Sequence, residues 1–149
     1  SRVRDTGAAQ SASVVTPSPK PYSEGGGPVK TMEPNDDMMA VEELAKRIAE
    51  VCLEGKQISV VFAKEPNWPF LATYGQSGEL TLNVGRLGKK WFKPDNLTRI
   101  LDLLIHEFGH QYGSNHLSDQ YYRALTKIGS RLAVAVRDNP AIIDLGGDA

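Results

Sequence analysis

The stretch Leu97-Thr98-Arg99-Ile100-Leu101-Asp102-Leu103-Leu104-Ile105-His106-Glu107-Phe108-Gly109-His110-Gln111-Tyr112-Gly113-Ser114-Asn115-His116 carries two patterns at once. Leu97, Ile100, Leu101, Leu104, Ile105 and Phe108, extended by Tyr112, recur at helical spacing, so one side of a helix is buried. Asp95 or Asn96 is expected to cap its start. At about 100° per residue, His106 and His110 point away from the apolar stripe. Such a helix packs by one side and shows its imidazoles to a cleft on the other.

All three histidines of the chain lie between His106 and His116, in the order H-E-x-x-H-x-x-G-x-x-H. Residues i and i+4 share a helix face, so His106 and His110 can place ring nitrogens on one ion. Glu107 stands beside them, where a carboxylate can take a proton from a zinc-activated water. Gly113 is expected to adopt φ > 0, end the helix and turn the chain, which would return His116 to the same ion as a third ligand. A row of solvated surface histidines is the plain alternative. A zinc site without a catalytic role is the stronger competitor.

Working outward, Asn35, Asp36 and Asp37 open an earlier helix, with a cap and negative charge at its N-terminus. Val41, Leu44, Ala45, Ile48, Val51 and Cys52 form its buried stripe, and Gly55 ends it. Ile58–Ala63 reads as a buried strand. Phe70–Tyr74 and Glu79–Val84 read as two strands joined by Gly75-Gln76-Ser77-Gly78 in a hairpin. Trp68 sits in a loop marked by Pro66 and Pro69, and Trp91-Phe92 in the connection to the histidine helix. Each could line a cleft, with packing the plainer reading. Ser118 caps a last helix with Tyr121, Leu125, Ile128, Leu132, Ala135 and Val136 at helical spacing, running to about Arg137 before Asn139-Pro140. The residues after it, ending in Gly146–Ala149, are expected to fray. The predicted class is α+β: helix, three strands, ligand helix, C-terminal helix, with a small antiparallel or mixed sheet.

Residues 1 to 34 read as a flexible linker, rich in Ser, Ala, Pro and Gly, and residues 35–149 as the folded domain. The chain begins Ser1-Arg2-Val3 and reads as an excised piece, tethered to other domains of a longer protein. The formal net charge is −1 and no basic stripe stands out, which argues against nucleic acid as a partner. There is no apolar run long enough to span a bilayer and no signal peptide, so the expected partner is not a membrane and the expected location is cytoplasmic. The one cysteine, Cys52, allows no internal disulfide and reads as a small buried side chain.

On H106-E107-x-x-H110 and the helix–sheet–helix order before it, the chain resembles the zincin metallopeptidases. The extension through Gly113 to His116 resembles their metzincin branch. The resemblance implies His106, His110 and His116 as zinc ligands, Glu107 as general base, hydrolysis of peptide bonds, and a sheet edge strand that holds a peptide or protein substrate extended. The sequence departs from that branch in one respect: Met32, Met38 and Met39 all precede the motif and no methionine follows His116, where metzincins carry a methionine turn. The short chain is more similar to a minimal zincin, with the compact core of the smallest gluzincin-like domains. In those the third ligand is an acid on the following helix. No glutamate follows Glu107, which leaves Asp119 as the alternative third ligand beside His116.

A developing oxyanion needs a donor besides the metal. Tyr112, Tyr121 and Tyr122 are the nearby candidates, and Tyr122, off the apolar stripe of its helix, is ranked first. If the strand Glu79–Val84 is the sheet edge beside the cleft, its Leu82, Asn83 and Val84 would pair with an extended peptide by β-augmentation. An ordinary sheet strand is the plain alternative. Asp102, four residues before His106, is a possible partner for that ring or for Arg99. The competing functional reading is a non-catalytic zinc-binding or interaction module of a larger protein.

Overall fold

The computed structural model describes residues 29–113 and 115–146. The expectation of a flexible linker falls mostly on residues 1–28, which lie outside the described residues. Helix α1 spans Asp36–Cys52, with the Asn35 side chain accepting from the Met38 amide at 2.9 Å. That contact satisfies one of the amides a helix start leaves open. Met38, Val41, Leu44, Ala45, Ile48 and Cys52 bury one stripe, while Val51 is exposed. Strands β1 (Ser59–Ala63), β2 (Ala72–Gly75) and β3 (Glu79–Asn83) follow. A single helical turn α2 (Val84–Leu87), two 3₁₀ turns (Lys89–Phe92, Pro94–Asn96), helix α3 (Leu97–Phe108), a 3₁₀ turn (Gly109–Gln111), helix α4 (Asp119–Asp138) and a 3₁₀ turn (Pro140–Ile143) complete the order. The class is mixed α+β.

The sheet order is β1-β3-β2. β1 runs parallel to β3, pairing Ser59 with Glu79 through Ala63 with Asn83. β2 runs antiparallel to β3, pairing Ala72 with Leu82 through Gly75 with Glu79, so the β2–β3 hairpin is present. The chain after the hairpin does not leave from an edge. β3 is the central strand, paired on both sides, and its backbone has no free side for an added peptide. Pairing of substrate with Leu82, Asn83 and Val84 is therefore corrected: Leu82 and Asn83 are buried mid-sheet, and Val84 opens α2.

Three further differences have local causes. Thr31 bridges Ala63, with the Met32 amide on the Phe62 carbonyl at 3.0 Å, so contacts of the domain begin before residue 35. These residues cover part of the outer edge of β1, a common way to blunt an unpaired strand. Asn96 precedes α3 but does not cap it with its side chain, whose amide instead donates to the Lys90 and Trp91 carbonyls. Past α4 the chain is packed through Leu145: Ile142 and Leu145 are buried, and Arg47 donates to the Ile142 carbonyl at 3.0 Å and the Asp144 carbonyl at 2.5 Å.

The core lies between the sheet and α1, α3 and α4. Ile100, Leu104 and Phe108 of α3 are fully buried, as are Leu80 and Leu82 of β3 and Ile128 of α4. Phe108 meets the Tyr74 ring edge to face, with centroids 5.4 Å apart. Trp68 and Phe92 are buried, and Trp91 packs on the core, so these aromatics serve packing. Among the described residues no helix is long and apolar enough to cross a membrane.

Candidate metal centre

The site is built where α3 stops. Its last residue is Phe108, and the chain tightens through Gly109–Gln111, so His106 stands on the α-helix and His110 on the turn beyond it. The two rings still face one region, with centroids 5.8 Å apart and planes at 83°. The helix thus ends earlier than the spacing predicts, before Gly113.

Gly113 is required for a reason other than the one expected. It does not lie among the positive-φ glycines. A Cβ on Gly113 would stand 2.7 Å from the Tyr121 nitrogen and 2.9 Å from its Cα, closer than real contacts allow. The chain must pass that near to α4 for His116 to reach the cluster. Beyond it, Asn115 and Ser118 hold a tight turn: the Leu117 amide donates to Asn115 Oδ1 at 2.9 Å and the Ser118 hydroxyl to the Asn115 carbonyl at 2.8 Å. Ser118 Oγ in turn accepts from the Tyr121 amide at 3.1 Å, the predicted cap of α4.

Within this frame one nitrogen from each of His106, His110 and His116 comes within 4.8 Å of the others. The Nε2 atoms of His106 and His116 are 3.0 Å apart, and their rings stack at 27°. His110 is the most deeply held, at 4 % exposure. Its Nδ1 lies 3.1 Å from the Gly113 carbonyl oxygen, which can only accept. Nδ1 therefore carries the proton and Nε2 presents its lone pair, the tautomer a metal ligand needs. Among the described residues, Nε2 is buried with no hydrogen-bond partner. Burial also pushes the His110 pKa below the ordinary histidine range, only partly opposed by the Gly113 bond, which favours the neutral ring. Glu107, next in sequence to His106 and near enough to Tyr121 to act on it electrostatically, is buried at 4 % exposure. Three convergent imidazoles, one with a buried free lone pair, fit a borderline transition-metal ion.

Asp119, the alternative third ligand, is exposed on the first turn of α4, and the cluster found among the described residues consists of the three histidines. Tyr122 is 56 % exposed on the same turn. Tyr112 donates its hydroxyl to Glu54 at 3.2 Å, at the end of α1. Asp102 is exposed.

Tyr121, named with Tyr112 and Tyr122 among the candidate donors but ranked below Tyr122, takes a place at the cluster that the sequence does not predict. It was counted as part of the apolar stripe of α4, and it is indeed buried, at 3 % exposure. Its ring nevertheless lies against all three imidazoles, with centroids 5.9 Å from His106, 5.1 Å from His110 and 4.9 Å from His116. Its hydroxyl donates to the His106 carbonyl at 2.8 Å. Burial first, then the nearby Glu107 charge, push its pKa above the ordinary tyrosine range. The available signal was the pair Gly109 and Gly113, both of which would drive a Cβ into Tyr121.

Comparison of the chain with protein-family models, with curated proteins and with solved structures finds no match in any of the three. The candidate centre therefore rests on its own geometry: three histidines close enough together to hold one metal ion.

Proposed function

We propose that the protein is a zinc-dependent metallopeptidase. The observation that carries this reading is the convergence of His106, His110 and His116 within 4.8 Å beside the buried Glu107. A site that merely stabilised a fold would have no use for a buried acid next to its ligands. His106, His110 and His116 would hold the ion. Bound zinc supplies a Lewis acid that acidifies water toward a pKa of about 7 and polarises a carbonyl.

The remaining steps belong to the chain. Glu107 accepts the proton of the attacking water and passes it to the departing amine. Tyr121 has its hydroxyl committed to the His106 carbonyl, so Tyr122, exposed on the same turn, is the candidate donor to the oxyanion. The substrate strand is reassigned from β3 to β2, an outer strand of the sheet tied to the site by Gln76, which donates to the His110 carbonyl at 3.3 Å. The Asn83 amide donates to the Leu71 carbonyl at 2.8 Å, which sets the alternation so that the backbone groups of Ala72 and Tyr74 point away from β3. A peptide added there would run past the histidines.

Glu107→Gln tests the reading. It is expected to keep about one zinc per chain and to lose at least about 100-fold of peptide hydrolysis, the scale of a general base. Unchanged hydrolysis removes Glu107 from the reaction. A zinc-loaded wild-type protein that cleaves no peptide in a diverse pool sinks the peptidase reading and favours a non-catalytic metal module.

A further inference from the structure

We propose that Tyr121 is the positioning residue of the metal centre: its ring is the floor on which the three imidazoles stand, and its hydroxyl fixes the backbone that carries His106. The inference rests on the metal-binding half of the reading above and is independent of catalysis.

Four observations meet on this side chain. The ring touches all three histidines, which come from a helix, a 3₁₀ turn and a loop and share no other aromatic neighbour among the ring contacts described. The hydroxyl donates at 2.8 Å to the carbonyl of His106, in the last turn of α3, where carbonyls run out of helical partners. The amide of Tyr121 is held by the Ser118 cap, so its backbone is set by the start of α4. The chain also makes room for the ring twice. A Cβ on Gly109 would stand 2.6 Å from Tyr121 Cε1, and one on Gly113 would strike the Tyr121 backbone.

The physical consequence concerns ordering. Three imidazoles from separate segments each have rotamer freedom to lose when they converge on an ion. A rigid ring in contact with all of them removes that freedom in advance, which is where outer partners of a metal site exert their effect. The hydroxyl adds the register of His106 relative to α4. A Phe in this place would keep the floor and lose the tie.

The test uses the full chain, with zinc affinity read by chelator competition and ligand geometry read by the visible absorption of the cobalt-substituted protein at saturation. Tyr121→Leu is expected to weaken zinc about 10–100-fold and to change the cobalt spectrum, and Tyr121→Phe to weaken it by less than about 10-fold with a wild-type spectrum. Leu132→Ala, a core truncation farther along α4, controls for stability and is expected to leave affinity within about 3-fold. Wild-type affinity in Tyr121→Leu, or an equal loss in Leu132→Ala, overturns the proposal. Should Tyr121→Leu not fold, Gly109→Ala displaces the ring without altering it. An affinity loss of about 10-fold there supports the proposal, and no loss overturns it. Absence of zinc binding by the wild type is a different result, since it removes the metal reading itself.

Discussion

The two faces of α3 obey different rules. On one, Ile100, Leu104 and Phe108 are fully buried against the sheet and the other helices. Each contributes through non-directional burial, about 1.5–3 kcal/mol for such a side chain, and would serve with another apolar group of similar volume. On the other face stands His106, half-buried; Glu107, beside Ile100 at the margin of the apolar face, and His110, in the turn that prolongs the helix, are buried almost as deeply as the apolar residues. Burying such groups is unfavourable unless each finds a partner, and the partner must lie in a given direction. The apolar face explains why the chain folds. The polar face is where three histidines converge closely enough to hold a metal ion.

This contrast can be broken. The largest expected effect is on the polar face: His110→Ala should weaken zinc by more than about 100-fold, beyond the loss of an outer partner. The rise in melting temperature that zinc gives the wild type should vanish with it. Dialysis followed by metal analysis, with a thermal melt, reads both, and retained zinc would take His110 out of the site.

Phe108→Ala comes next, on the opposite face. It should lower unfolding stability by about 3–5 kcal/mol in urea titration and leave zinc stoichiometry at saturation unchanged. A cost below about 1 kcal/mol would mean that this face does not carry the fold.

Gly113→Ala lies where the two faces meet. The added Cβ meets the Tyr121 backbone at 2.7 Å, and helical backbone does not yield, so a loss of about 1–3 kcal/mol together with weaker zinc binding is expected. Loss of stability alone would separate His116 from the centre.

The smallest effect is a dependence on alkaline pH in the metal-free protein. Burial pushes Cys52 up from 9.0 to about 11, with Arg131 opposing, and Tyr74 up from 10.0 to about 12, with Tyr112 adding. Both groups keep their protons longer folded than unfolded. Their contribution is complete below about pH 9 and is lost as pH rises through the window from 9 to 12. Urea midpoints at pH 8 and pH 11 read this, and equal midpoints would show that neither environment persists in solution.

Much of this was legible from residues alone. The helical stripes of α1, α3 and α4, the caps at Asn35 and Ser118, the hairpin and the convergence of His106, His110 and His116 follow from spacing, because helix faces and turns are local properties. Strand order was not legible. Leu80-Thr81-Leu82-Asn83 is buried on both sides of the pleat, and a strand so covered reads the same at the centre of a sheet as at its edge. The parallel pairing of β1 with β3 placed β3 in the middle, and no local pattern encodes that. The place of Tyr121 against the three imidazoles was not legible for the same kind of reason: periodicity reports which side of a helix is buried, not what lies there.

By itself, then, the sequence determined the helices, the hairpin and the three candidate ligands, since each depends on neighbours within a few turns. Only the tertiary structure decided that β3 is enclosed, that β2 is the strand beside the histidines, and that Tyr121 stands behind them with Gly109 and Gly113 making room. Those depend on how segments far apart in the chain approach one another, and close approach is settled by packing among all of them together.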